Sequence, residues 1–222
     1  MTKFLETFTY IFSLIKKYPY VFIALLLLLL VYIYLKSKKP KVKGDIGEQE
    51  VNEILKKLPK SKYKVLNDVF IETKSGTSQI DHIVVSIYGI FVIETKMYSG
   101  WIYGDEDSKT WTQNIYNKRV HFFQSPLHQN DVHIRRLKEV DKSLRDLKYF
   151  SVITFSEEAE LKNDIENVVY FHRLKKYIKS FRKKYLTKDE VKQIYKIIQS
   201  ENITNPIKRK NHVKKIKEKY EY

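Results

Sequence analysis

Gln79–Ser86 reads QIDHIVVS and Ile90–Lys96 reads IFVIETK, with Tyr88-Gly89 between them. Both stretches are apolar and β-branched, and the intervening pair is turn chemistry, so they are predicted as neighbouring strands of a hairpin. Side chains two apart on a strand project from the same face. Gln79 and Asp81 therefore share one face of the first strand, and Glu94 and Lys96 share one face of the second, together with Ile90 and Val92. If the hairpin sets Asp81 near Glu94, two carboxylates, an ammonium and an amide converge at the strand ends. An unpaired charge inside such apolar runs is costly, which favours a shared site over four unrelated surface residues.

Working outward, Tyr63–Ile71 reads as a preceding strand with a turn at Ser75-Gly76, and Gly100–Tyr103 as a short fourth strand before a polar loop, Gly104–Lys109. Upstream, Gly47, Val51, Ile54, Leu55 and Leu58 recur at helical spacing and stop at Pro59, placing the Glu48 carboxylate at the edge of the buried face. Downstream, Pro126 opens a helix expected to run to about Asp146, with Leu127, Ile134, Leu137, Val140 and Leu144 inward. Tyr149–Phe155 and Val168–Phe171 read as further strands. Thr187 and Glu190 form a capping box for a helix carrying Val191, Ile194, Tyr195 and Ile198. The fold class expected is α/β: helix, antiparallel meander, helix, further strand.

The N-terminal region is different in kind. Tyr18–Leu35, YPYVFIALLLLLLVYIYL, carries no charge and has tyrosines at both ends. It reads as one transmembrane helix with aromatic boundaries. Phe4, Leu5, Phe8, Ile11, Phe12 and Ile15 within residues 1–17 read as an interfacial juxtamembrane segment. Five lysines in the basic linker 36–43 outweigh Lys3, Lys16 and Lys17, so the C-terminal domain is expected on the cytoplasmic side of a bacterial plasma membrane, as in a single-pass protein.

Charge and composition narrow the chemistry. The 222 residues carry 42 Lys and Arg against 26 Asp and Glu, a net +16 that attracts polyanions such as nucleic acid or anionic lipid. With no cysteine, disulfides and thiolate metal sites are excluded. A metal here must be held by oxygen or imidazole, and Asp81 with Glu94, supplemented by Glu48, is an oxygen donor set suited to Mg2+ or Mn2+. In such a site a carboxylate holds metal while the Lys96 ammonium reaches the attacking water or the phosphate. His82 faces away from Asp81 and reads as a packed core residue. His128 and His133 are five apart on their helix and do not stack as a ligand pair. Trp101, Tyr103, Trp111 and Tyr116 read first as aromatic core, with base stacking as the other use. Gln129 and Asn130 serve helix packing or substrate contact equally well.

QIDHIVVS followed by GIFVIETKMYSG at Gly89–Gly100 resembles the nuclease-related domain called NERD. GEQEV at Gly47–Val51, Trp111 with Gln113, and SPLHQNDVHIRRL at Ser125–Leu137 resemble its other blocks, in order. That family is similar to restriction-endonuclease-like nucleases. The resemblance implies a restriction-endonuclease-like core over residues 44–155, with Asp81, Glu94 and Lys96 at catalytic positions and Glu48 auxiliary; Ile80 replaces the proline of the wider motif. Residues 156–207 are expected to form a C-terminal α/β extension and 208–222 a basic tail. The function expected is membrane-anchored, metal-dependent phosphodiester hydrolysis on DNA, assisted by Gln79. Two alternatives stay open: a non-catalytic, membrane-tethered nucleic-acid or protein-binding module, and hydrolysis of another phosphorylated compound.

Overall fold

The computed structural model describes residues 16–116, 119–162, 164–207 and 209, with positions 7, 10 and 14 before them, and for 36–42 the backbone alone. The chain divides into two compact units, Met1–Lys43 and Gly44–Tyr222. Most of the juxtamembrane reading for residues 1–17, and the basic tail apart from Arg209, fall outside the described residues.

Helix α1 runs unbroken over Pro19–Lys56. The sequence places a linker at 36–43, and the structure has helix there instead. The physical reason is that the stretch is mostly lysine, a good helix former, and its breakers are isolated: Pro40 removes one backbone hydrogen bond and Gly44 costs about 1 kcal/mol, which a long helix tolerates. In the first unit every large apolar side chain from Val21 to Leu35 is at least 46% exposed. Among the described residues no helix is long and apolar enough to cross a membrane. The transmembrane reading of residues 18–35 therefore gains no support from the fold.

The second unit is a mixed α/β structure with two sheets. Strands β1 (Tyr63–Thr73), β2 (Gly76–Ser86), β3 (Gly89–Lys96), β7 (Tyr149–Phe155) and β9 (Val168–Tyr170) form the larger sheet in the order β1-β2-β3-β7-β9. The first three are antiparallel as expected, whereas β7 and β9 join in parallel. The smaller sheet, ordered β6-β5-β4-β8, contains β4 (Gly100–Tyr103), β5 (Thr110–Asn114), β6 (Val120–Gln124) and β8 (Ala159–Leu161). Helices α2 (Pro126–Val140), α3 (Phe171–Ser180) and α4 (Lys188–Ser200) complete the unit.

The main core buries Val51 and Leu55 of α1, and Leu58 just after it, with Ile83, Val85, Ile90 and Val92 of the sheet and Leu137 of α2. A second cluster joins the sheets: Ile102 and Trp111 pack with Ile153 and Phe155 of β7, the Trp111 and Phe155 rings lying parallel with centroids 6.3 Å apart. Burial of such rings is worth roughly 2–3 kcal/mol each, with a further ~1 kcal/mol from the stacking. Helix α2 ends at Val140, short of the expected Asp146, because Asp141 adopts extended backbone and its carboxylate caps a separate 3-10 turn, Lys142–Leu144. Phe171 does not end a strand; it starts α3, burying Phe171, Leu174 and Ile178.

Candidate active site

The site lies where two strands part company. β2 and β3 remain paired from Ser86↔Gly89 to His82↔Ile93. Beyond that point β2 continues with β1 as far as Thr73↔Gly76, while β3 continues with β7 as far as Lys96↔Phe155. The next residues along the shared register are Asp81 and Glu94, so these two carboxylates stand at the mouth of the fork. Directly opposed positions of an antiparallel pair face the same side, which is the arrangement the alternation predicts. Parting exposes backbone groups, and one is used at once: Thr95 N–H donates to Asp81 Oδ2 at 2.8 Å.

Glu94 is buried and Lys96 half-buried. Lys96 Nζ donates to Glu94 Oε1 at 2.7 Å and to Gln129 Oε1 of α2 at 3.0 Å. Burial pushes the Glu94 carboxyl up, but the Lys96 charge and the adjacent His133 outweigh it and hold it down at about 2. Burial likewise disfavours the Lys96 ammonium, yet the charge of Glu94, and less so of Tyr98, holds it above its ordinary value. Asp81 shows the reverse. Burial, then the charges of Glu94 and Glu48, raise its carboxyl well above the usual range against the Thr95 hydrogen bond. Glu48 is pushed up to about 7 by burial and by Asp45, Asp68 and Glu94, with Lys96 opposing. One cation thus serves Glu94, while Asp81 and Glu48 are left in a field short of positive charge.

Gln79 is turned elsewhere: its Nε2 donates to Asp68 Oδ1 at 2.9 Å. Asp68 occupies the β1 position opposite Asp81 and has φ 50, left-handed backbone unusual for a residue other than glycine. One sign of it is legible beforehand, a polar Asn67-Asp68 interruption in an apolar strand. Arg209 forms an ion pair with the Asp68 carboxylate and donates to the Asp68 carbonyl at 3.0 Å. Nearby, Asn202 Oδ1 accepts from Phe70 N–H at 2.9 Å and Ile203 N–H donates to Phe70 O at 2.8 Å, so the C-terminal segment lies against the free edge of β1.

Helix α2 supplies what strand reasoning could not. Gln129, His133 and Arg136 recur at helical spacing along one stripe and all reach the site strands. Asn130 Nδ2 donates to Val92 O at 2.8 Å and to Ser151 Oγ at 2.9 Å, a packing role that ties α2 to β3 and β7. His82 is a buried core residue as expected, its Nδ1 2.8 Å from Asn67 Oδ1, and burial lowers its pKa to about 4. Trp111 is core. Trp101 is half-buried, bonded to Glu160 at 2.8 Å, while Tyr103 and Tyr116 are exposed.

The second unit is thus a mixed α/β structure that brings two carboxylates and a lysine together at a strand fork. Residues 43–156 match the family model described as the nuclease-related domain, and the chain belongs to that NERD family. It is also 40% identical over 187 residues to an uncharacterized protein of Bacillus anthracis, the match covering 82% of this chain and 87% of that protein.

Proposed function

We propose that this protein is a metal-dependent nuclease, hydrolysing phosphodiester bonds of DNA with Asp81, Glu94 and Lys96 as its working residues. The observation that carries the reading is the fork itself, which sets Asp81 and Glu94 at adjoining positions with Lys96 hydrogen-bonded to Glu94. Membership in a nuclease-related family supports a nuclease-like activity.

The donor set fits a hard divalent cation. Glu94 Oε2 is buried without a hydrogen-bond partner, and Asp81 and Glu48 hold protons more tightly than ordinary carboxylates because burial and the neighbouring carboxylates outweigh the Lys96 charge. Among the described residues no three His, Asp or Glu side chains are drawn together closely enough to hold a metal by themselves. Mg2+ and Mn2+ commonly take one or two carboxylates and complete their shells with water and phosphate oxygens. Asp81 and Glu94 would hold the cation, with Glu48 adding charge. Such an ion polarises the phosphate and acidifies a bound water. Lys96 stabilises charge developing on the phosphoryl oxygens, and Gln129 steers its ammonium. The net charge of +16 draws the polyanionic substrate in.

A membrane tether belongs to the same proposal. What supports it is the sequence alone: the uncharged run 18–35, and the lysine excess after it for a nuclease-like unit on the cytoplasmic side.

A second reading has an observation of its own. Lys96 is held by both Glu94 and Gln129, as in a structural ion pair, which favours a non-catalytic nucleic-acid-binding module. Cleavage of plasmid, single-stranded DNA and RNA by the full chain in detergent, with Mg2+, Mn2+ or chelator, separates the readings. Asp81→Ala and Lys96→Ala are expected to abolish metal-dependent cleavage. Undiminished cleavage by both variants rejects the site, and salt-sensitive binding without turnover establishes the second reading.

A further inference from the structure

Glu94 has a neighbour that the proposed chemistry does not use. His133 of α2, buried, places Nε2 3.3 Å from Glu94 Oε2 and Nδ1 2.8 Å from Ser78 Oγ at the start of β2. The approach to Glu94 lacks hydrogen-bonding alignment as it stands, and neither Glu94 Oε2 nor His133 Nε2 has another partner. Two buried polar atoms facing one another with nothing else to bond are costly unless a small ring rotation joins them.

The direction of this contact is set by the carboxylate facing Nε2, and the next residue in the chain of hydrogen bonds is compatible with it. Arg136 Nη1, which can only donate, reaches Ser78 Oγ at 3.2 Å and also bonds the Thr77 carbonyl. With one lone pair of Ser78 occupied by that donor, its hydroxyl hydrogen is free to point at His133 Nδ1. An accepting Nδ1 leaves the proton on Nε2, where it faces the carboxylate. The opposite tautomer would aim an imidazole lone pair at a buried anion. The helix that carries the relay is itself pinned to the β1–β2 turn, since Ser75 Oγ donates to Glu139 Oε2 at 2.8 Å.

We propose that Arg136, Ser78 and His133 form a positioning relay that fixes the orientation of the Glu94 carboxylate and thereby sets how well it holds a divalent cation. The inference rests on the metal-site reading above and deepens it. Lys96 takes Oε1 and His133 takes one lone pair of Oε2, so the carboxylate is held at both oxygens while a lone pair stays free for metal. A hydrogen-bonded outer partner of a ligand is commonly worth 10- to 100-fold in metal affinity.

Two measurements on the full chain in detergent test it. In metal-free protein with 15N-labelled histidine, the ring nitrogens of His133 are expected to report Nε2 protonated and Nδ1 bare, and Ser78→Ala is expected to mix the tautomers. A proton on Nδ1 in the wild type overturns the relay. Mn2+ titrated calorimetrically is expected to bind His133→Asn at least tenfold more weakly than wild type. His133→Gln, whose amide reaches the Nε2 position, is expected to stay within about threefold. His133→Asn binding Mn2+ as tightly as wild type also overturns it. A wild type that binds no Mn2+ sinks the metal-site reading instead, and the nitrogen spectrum then decides the relay alone. The Gln and Asn pair is matched for polarity, so a shared loss of folding would show in both and is read as refuting a specific role at Nε2.

Discussion

Replacing Glu48 with glutamine should make the metal-free protein more stable, and only at neutral to alkaline pH. Glu48 is half-buried, and burial together with Asp45, Asp68 and Glu94 raises its pKa from 4.5 to about 7. In the unfolded chain the carboxyl ionises at its ordinary value. Below about pH 4 both states are protonated and the group contributes no difference. As pH rises toward 7 the unfolded state releases its proton first, so the folded state loses ground, and above the folded pKa the full penalty applies. The gross figure is about 3 kcal/mol from the size of the shift, and solvent access to the half-buried group reduces this to roughly 1–2 kcal/mol. Glutamine keeps the shape and removes the charge. Urea unfolding followed by tryptophan fluorescence, in detergent with chelator, should show equal midpoints for wild type and Glu48→Gln at pH 4. At pH 8 the variant should have the higher midpoint. Adding Mg2+ should stabilise the wild type more than the variant, because the ion relieves a repulsion the variant lacks. A variant less stable at pH 8, or a gap that does not change with pH, refutes the electrostatic account of the site.

His82, held at about 4 by burial against an unfolded value of 6.5, costs stability as pH falls through that window, up to about 3 kcal/mol once below it. His82→Asn should flatten the acid limb of a stability-against-pH curve between pH 6.5 and 4, and an unchanged slope would locate acid sensitivity elsewhere. Asn130→Leu should destabilise by ~2–3 kcal/mol, since Val92 O and Ser151 Oγ lose their donor in a buried setting; thermal unfolding within 0.5 kcal/mol of wild type would mean those bonds are dispensable.

The central strands of the large sheet were legible because they are continuous apolar, β-branched runs, buried on both faces over His82–Ser86 and Gly89–Ile93. Asp81, Glu94 and Lys96 stood out as charged interruptions of those runs. The small sheet was largely hidden. β5 and β6 are only five residues each, β6 largely exposed, and β8 pairs with β4 across more than fifty residues of chain, so no local pattern announces them. Leu144 extended the apparent helix past its true end because it is buried from the next turn and happens to fall on the helical period. At the site, Asp68 and the relay on α2 depend on contacts between distant segments. The spacing of Gln129, His133 and Arg136 is nevertheless that of one helical stripe, and comparing His133 with Gln129 in place of His128 would have exposed it. Gln79 was placed on the correct strand, but its amide is held by Asp68 across the β1–β2 pair.

The bonds that Asn202 and Ile203 make with Phe70 have a consequence for how the molecule behaves among its own kind. An outermost strand with unclaimed amides and carbonyls is a template on which a second molecule can lay its own strand, and growth of that sort ends in precipitate. Here the chain satisfies those groups at Phe70 with its own Asn202 and Ile203, and the Arg209 guanidinium sits over the Phe70 ring at 5.7 Å. A chain cut after Ser200 would keep every residue of the fork, yet lose this guard. Its failing would be poor solubility at high concentration.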